Sequence, residues 1–63
     1  MQMYVVRVSA YSPYKIEFEY TDRARGFGTA IRRAVEKFRK EPQVKGKHLD
    51  NMQINAGRGI GQL

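Results

Sequence analysis

The chain has no cysteine and no tryptophan, a single histidine and two prolines among 63 residues. Without cysteine there is no disulfide framework and no thiolate metal site, and one histidine is too few for a typical zinc centre. No run of about 18 apolar residues is present, as a membrane-spanning helix needs. The opening Met1-Gln2-Met3-Tyr4 lacks the basic start and apolar stretch of a secretory signal. These absences predict a cytoplasmic protein with no membrane partner, in agreement with a reducing compartment.

Catalytic apparatus is equally scarce. Ser9, Ser12 and His48 do not assemble into a nucleophile with an adjacent base, and Glu17 and Glu19 have the spacing of a wet strand face. No catalytic residue, metal ligand or cofactor is expected. Acids are few, six against twelve Lys and Arg, so the formal net charge is +6 and the sequence pI about 10.1. Such a field attracts polyanions and anionic surfaces and does not bear on fold. A chain this short buries only about 60% of its unfolded surface, so stability must come from good packing or self-association, and a homodimer is one route.

What is present is pattern. Tyr4, Val6, Val8 and Ala10 alternate with Met3, Val5, Arg7 and Ser9, the period of a strand. Tyr11-Ser12-Pro13 supplies turn chemistry. Tyr14, Ile16, Phe18 and Tyr20 then alternate with Lys15, Glu17, Glu19 and Thr21, a second strand with one buried and one charged face. The period changes at Phe27, Ile31, Ala34, Val35 and Phe38, one stripe of a helix from about Gly26 to Lys40 that Glu41-Pro42 stops. The two glycines weaken its first turn, which leaves a start nearer Thr29 as the alternative. Gln43 to His48 reads as a polar loop. Met52, Ile54 and Ala56 form one side of a third strand over Leu49 to Ala56.

The expected architecture is α+β, β-β-α-β, with a three-stranded antiparallel sheet in the order 2-1-3 and one helix packed on one face. Residues 1–56 form a single small domain, and the Gly-rich residues 57–63 a flexible tail. The expected core is Tyr4, Val6, Val8, Ile16, Phe18, Ile31, Ala34, Val35, Phe38, Met52 and Ile54.

Charge is unevenly placed. Nine of the twelve basic residues lie between Arg23 and Lys47, opposed there only by Asp22, Glu36 and Glu41. On the helix, Arg33, Lys37 and Lys40 share one flank and Arg32 and Arg39 the other, with Glu36 spaced to pair with Lys40. Arg23 and Arg25 precede the helix, and Lys45 and Lys47 follow it. These nine are the candidate phosphate contacts of a nucleic-acid-binding protein, DNA or RNA, with low sequence specificity. The same residues would also suit a solvated helix face that keeps a small domain soluble.

Gly26, Gly28 and Thr29, flanked by Arg23 and Arg25, are a candidate phosphate cradle at the helix start, where backbone N–H groups and the helix dipole favour an anion. Equally, the glycines could serve only a tight turn. Arg25-Gly26-Phe27-Gly28 resembles the opening of the RNP1 motif of RNA recognition motifs, which implies stacking aromatics on a sheet. The continuation Thr29-Ala30-Ile31-Arg32 departs from that motif, and the match covers four residues. The β-β-α-β order, the small size and the stretch from Ala30-Ile31 to Val44-Lys45 are loosely similar to a small archaeal ribosomal protein, LX, which implies RNA as the ligand. Tyr11 and Tyr14, beside the hairpin turn and Lys15, are the candidates for base stacking. The alternative to nucleic acid is a protein-interaction module, an inhibitor or adaptor, that docks an acidic protein partner or offers a sheet edge.

Overall fold

The computed structural model describes residues 1–59. Strand β1 (Gln2–Tyr11) and strand β2 (Lys15–Ala24) form an antiparallel hairpin, helix α1 (Phe27–Lys40) follows, and strand β3 (Asp50–Arg58) returns antiparallel to β1. The order is β2-β1-β3, as the alternation and the crossover predict.

Register explains which side chains share a face. Val6 stands opposite Tyr20, Val8 opposite Phe18 and Ala10 opposite Ile16, so the even-numbered residues of both strands lie under the helix. The odd-numbered residues form the open face. There Arg7 is held by Glu19 at 2.9 Å and Glu17 at 3.9 Å. Ser9 also belongs to this face, yet it is buried, because the central strand sets it between Glu17 and Gln53.

The core is Tyr4, Val6, Val8, Ala10, Ala24, Ala30, Ala34, Phe38 and Val44, with Ile16, Phe18, Tyr20, Ile31 and Leu49 packed against it. Phe38 is fully buried, its ring edge-on to Phe18 at 6.1 Å. Small alanines on α1 let the helix approach the sheet closely, so the large apolar volume comes from the strands and Phe38. Tyr20 ties β2 to the helix end by donating its hydroxyl to Glu41 Oε2 at 2.7 Å.

Several expectations need correction. Met52 and Ile54 are 38% and 39% exposed and are not core. The helix sits mainly over β1 and β2, where Phe38 meets Phe18 and Arg33 meets Asp22, and touches β3 least, leaving most of it uncovered. Val35 is only half-buried. Val44, read as part of a polar loop, is a core residue: turns closed by Val44 N–H and Lys45 N–H on the Glu41 carbonyl fold it back under the sheet. The third strand runs on through Gly57 and Arg58, which pair with Val5 and Tyr4, and Gly59 N–H donates to the Met3 carbonyl at 2.9 Å. Ladder bonds to a well-formed central strand offset the low strand propensity of glycine there. The rest of the expected tail, residues 60–63, lies outside the described residues. The helix begins at Phe27, with Gly26 as its N-cap.

The Tyr20 bond sets an alkaline limit. Partial burial first, then the hydrogen bond and charge of Glu41, hold the phenol well above its ordinary value. A raised folded pKa means that the unfolded chain ionises first. The stability Tyr20 contributes is therefore intact below about pH 10 and lost as pH climbs beyond it. Denaturant midpoints measured from pH 8 upward should fall more steeply past about pH 10 in the native chain than in Tyr20→Phe. Parallel curves for the two proteins would show that the bond does not couple to folding.

Candidate functional site

All nine basic residues from Arg23 to Lys47 are exposed, but they are not equivalent. Helical geometry turns each residue about 100° from the last, so Arg33, Lys37 and Lys40 fall on one flank of α1 and Arg32 and Arg39 on the other. Arg33 Nη1 donates to Asp22 Oδ2 at 3.4 Å and to the Arg23 carbonyl at 3.1 Å, which identifies the first flank as the one overhanging β2. Arg32 and Arg39 therefore lie on the β3 side. Glu36 is on the outer crest between them, and its expected pair with Lys40 is not formed among the described residues; both side chains stay in water, where such a pair contributes only a few tenths of a kcal/mol.

Among the described residues only Arg33 of the nine has an acidic partner. Arg32, Lys37, Arg39 and Lys40 crown the helix, Arg25 stands at its start, and Lys45 and Lys47 lie in the loop beyond its end. Arg23 parts from this group: it pairs with Met3 on the odd-numbered, open side of the sheet. Arg58, read from the sequence as tail, instead closes β3 opposite Tyr4, whose ring meets Phe27 at 4.7 Å. This places a further arginine near the helix start. Its signal was absent from the sequence, since only the β1 ladder orders that segment.

The helix start itself carries no acid in its first turn and no side-chain cap. Among the described residues the N–H groups of Phe27, Gly28 and Thr29 have no backbone or side-chain acceptor. Gly26 is extended, at φ −167° and ψ 173°, and neither Gly26 nor Gly28 has any atom within 4 Å of where a Cβ would stand. The turn itself therefore does not require glycine. Gly28→Ala should raise stability by about 0.5–1 kcal/mol, a few degrees in Tm, through lower unfolded-state entropy and better helix propensity. If the cradle is used, the same change weakens phosphate binding; equal affinity with a raised Tm would limit the glycine to a backbone role.

The four-residue RNP1 likeness does not extend to structure. Arg25-Gly26 is a bend and Phe27-Gly28 opens the helix, with Phe27 packed on Tyr4 and no fourth strand among the described residues. Tyr11 is 42% exposed at the end of β1, opposite Lys15 and Asp50, and Tyr14 is 82% exposed in the hairpin turn. Both lie at the end of the molecule that also holds Lys45 and Lys47. Tyr11 faces the open side of the sheet, so stacking there and phosphate contact along α1 occupy different faces.

His48 Nε2 lies 3.0 Å from Asp50 Oδ1, exposed on both sides. Among the described residues no three His, Asp or Glu side chains gather as metal ligands, and no helix is long and apolar enough to cross a membrane. Set against protein-family models, curated proteins and solved structures, the chain finds no match.

Proposed function

We propose that this chain is a small, non-catalytic nucleic-acid-binding protein that holds DNA or RNA mainly through phosphate contacts. One observation carries the reading: of the nine exposed cations from Arg23 to Lys47, only Arg33 is engaged by an acid among the described residues. Unpaired cations retain the capacity to displace counterions from a polyanion, which is the main source of non-specific affinity. Where a basic residue serves the fold alone, it is more often interspersed with acids, as Arg7 is with Glu17 and Glu19 on the open face. The α1 set is Arg25, Arg32, Lys37, Arg39, Lys40, Lys45 and Lys47, with Arg33 adding to the field while holding β2. Arg23, on the other side of the sheet, is a peripheral contact.

Fluorescence titration against generic single- and double-stranded DNA and RNA, repeated across salt concentrations, tests this. Micromolar affinity at about 50 mM salt, with a log–log slope corresponding to about four to six phosphates, is expected. No binding to any of the four at that salt would shift the reading to an acidic protein partner.

A further inference from the structure

The two edges of the sheet carry backbone N–H and C=O groups that no strand among the described residues pairs with, and they are protected differently. β2 is charged along its length by Lys15, Glu17, Glu19, Asp22 and Arg23. Charge on an edge strand discourages pairing with another chain. β3 has charge only at its ends, Asp50 and Arg58, and no lysine or proline anywhere.

The direction of its free groups follows from one bond. Gly59 N–H donates to the Met3 carbonyl at 2.9 Å, and hydrogen-bonded pairs alternate along an antiparallel ladder. The odd-numbered residues Gly57, Asn55 and Gln53 thus bond to β1, and Ile54 and Ala56 turn their N–H and C=O outward. The side chains of Met52, Ile54 and Ala56 lie on the helix-bearing face, on the side of Ala10, Val8 and Val6, yet all three are exposed because α1 is centred over β1 and β2. An apolar floor therefore borders an open hydrogen-bonding edge.

That edge is complementary to itself. If β3 meets a second β3 antiparallel about Ile54, Ile54 faces its own copy, Met52 faces Ala56, and Gln53 faces Asn55. A bulge turns Asp50 to the open face opposite Tyr11, so the matched segment runs from Met52 to Ala56. The outward groups of Ile54 fall at the centre of the new ladder, where hydrogen bonds are required. The bulge at Asn51, with φ 53°, ends the flat segment just beyond Met52.

We infer that the protein forms a two-fold dimer by joining the β3 strands of two copies into one six-stranded sheet. The partner is a second copy because the uncharged segment Met52 to Ala56 matches its own two-fold image in size, with Met52 against Ala56, and in hydrogen-bond pattern, and isologous two-fold contact is the commonest way soluble chains assemble. The dimer buries Met52 and Ile54, which the helix leaves uncovered, and supplies apolar burial that a 63-residue chain otherwise lacks. Each copy carries a formal charge of +6, so repulsion opposes association. Salt screens that repulsion. Dimerisation therefore strengthens with salt while phosphate binding weakens, and failure of either leaves the other standing.

Sedimentation velocity on the full chain, from about 10 μM to about 1 mM at low and high salt, should show conversion from 7.3 kDa to twice that mass, more completely at high salt. Ile54→Pro removes an N–H that in the monomer meets only solvent, a position where an edge strand tolerates proline. Ile54→Lys places like charges directly opposite. Each should raise the dimer dissociation constant at least about tenfold. Ile54→Cys, in a chain with no other cysteine, changes little in the fold. It should form an intermolecular disulfide at least about tenfold faster than Thr21→Cys on β2, since a hydrogen-bonded cross-strand pair has Cα atoms about 5.5 Å apart. A chain that stays at 7.3 kDa throughout overturns the inference. So does a dimer indifferent to both Ile54 substitutions, or equal disulfide rates at the two edges.

Discussion

Phe38→Ala should lower the melting temperature of the domain by at least about 12 °C, and by up to about 40 °C. Phe38 is 0% exposed, lies between the helix and the β1–β2 hairpin, and meets the Phe18 ring at 6.1 Å. Truncating a buried phenylalanine costs about 3–5 kcal/mol, the lost transfer energy plus the cavity left behind. A domain of this length has a total stability of about 3–9 kcal/mol, so the loss takes from about a third to all of it. Collapse of the site recovers little from the helix side, because Ala34, one turn before Phe38, has no side chain that could swing in. Circular dichroism melts check this, with Met52→Ala as the control at a concentration low enough to keep the chain monomeric. Met52 is 38% exposed, so its truncation should cost less than about 1 kcal/mol. A Phe38→Ala melt within a few degrees of the native one would mean that the core lies elsewhere.

The second large effect is on binding. Arg32→Glu combined with Arg39→Glu should weaken affinity for generic nucleic acid about a hundredfold or more at low salt, and reduce the magnitude of the log–log salt slope by about two. Both side chains are exposed, share one helix flank and lack an acidic partner among the described residues, so removing them leaves no buried charge behind. The expected structural cost is small, about 0.3–1 kcal/mol at Arg39, where a carboxylate meets the negative end of the helix dipole. Lys15→Glu is the comparison. It changes net charge as much as either single reversal, but on the open face of the sheet, the side opposite α1, and should alter affinity less than about threefold. Equal losses per substitution at Lys15 and at Arg39 would reduce the helix to one contributor to a diffuse field.

Arg33 is a poorer probe than its exposure suggests. Its guanidinium bridges Asp22 and the Arg23 carbonyl, so Arg33→Glu would oppose Asp22 and loosen the helix from β2 while also changing the field. The sequence offered no way to separate it from Lys37 and Lys40, which share its flank. Only the packing of α1 against β2 brings residues 22 and 33 together.

The readable parts of the fold are those in which neighbouring residues decide between water and burial. Alternation in Tyr4 to Ala10 and in Tyr14 to Thr21 sets the two faces of the hairpin, because a pleated strand turns successive side chains to opposite sides. The stripe of Phe27, Ile31, Ala34 and Phe38 marks α1, and the short link between β1 and β2 makes them antiparallel neighbours. Excess positive charge around the helix is likewise a property of the sequence itself. Which strands α1 covers is not. An apolar face on each of three coplanar strands does not say over which two a single helix will settle, and that choice, made by Phe38 on Phe18, Tyr20 on Glu41 and Arg33 on Asp22, exposes Met52 and Ile54. The burial of Val44 and the strand conformation of Gly57 and Arg58 are of the same kind, since both depend on partners distant in the chain. Local pattern thus determined the elements and their charge, and only tertiary packing decided which apolar edge remained open, because one helix is too narrow to cover three strands.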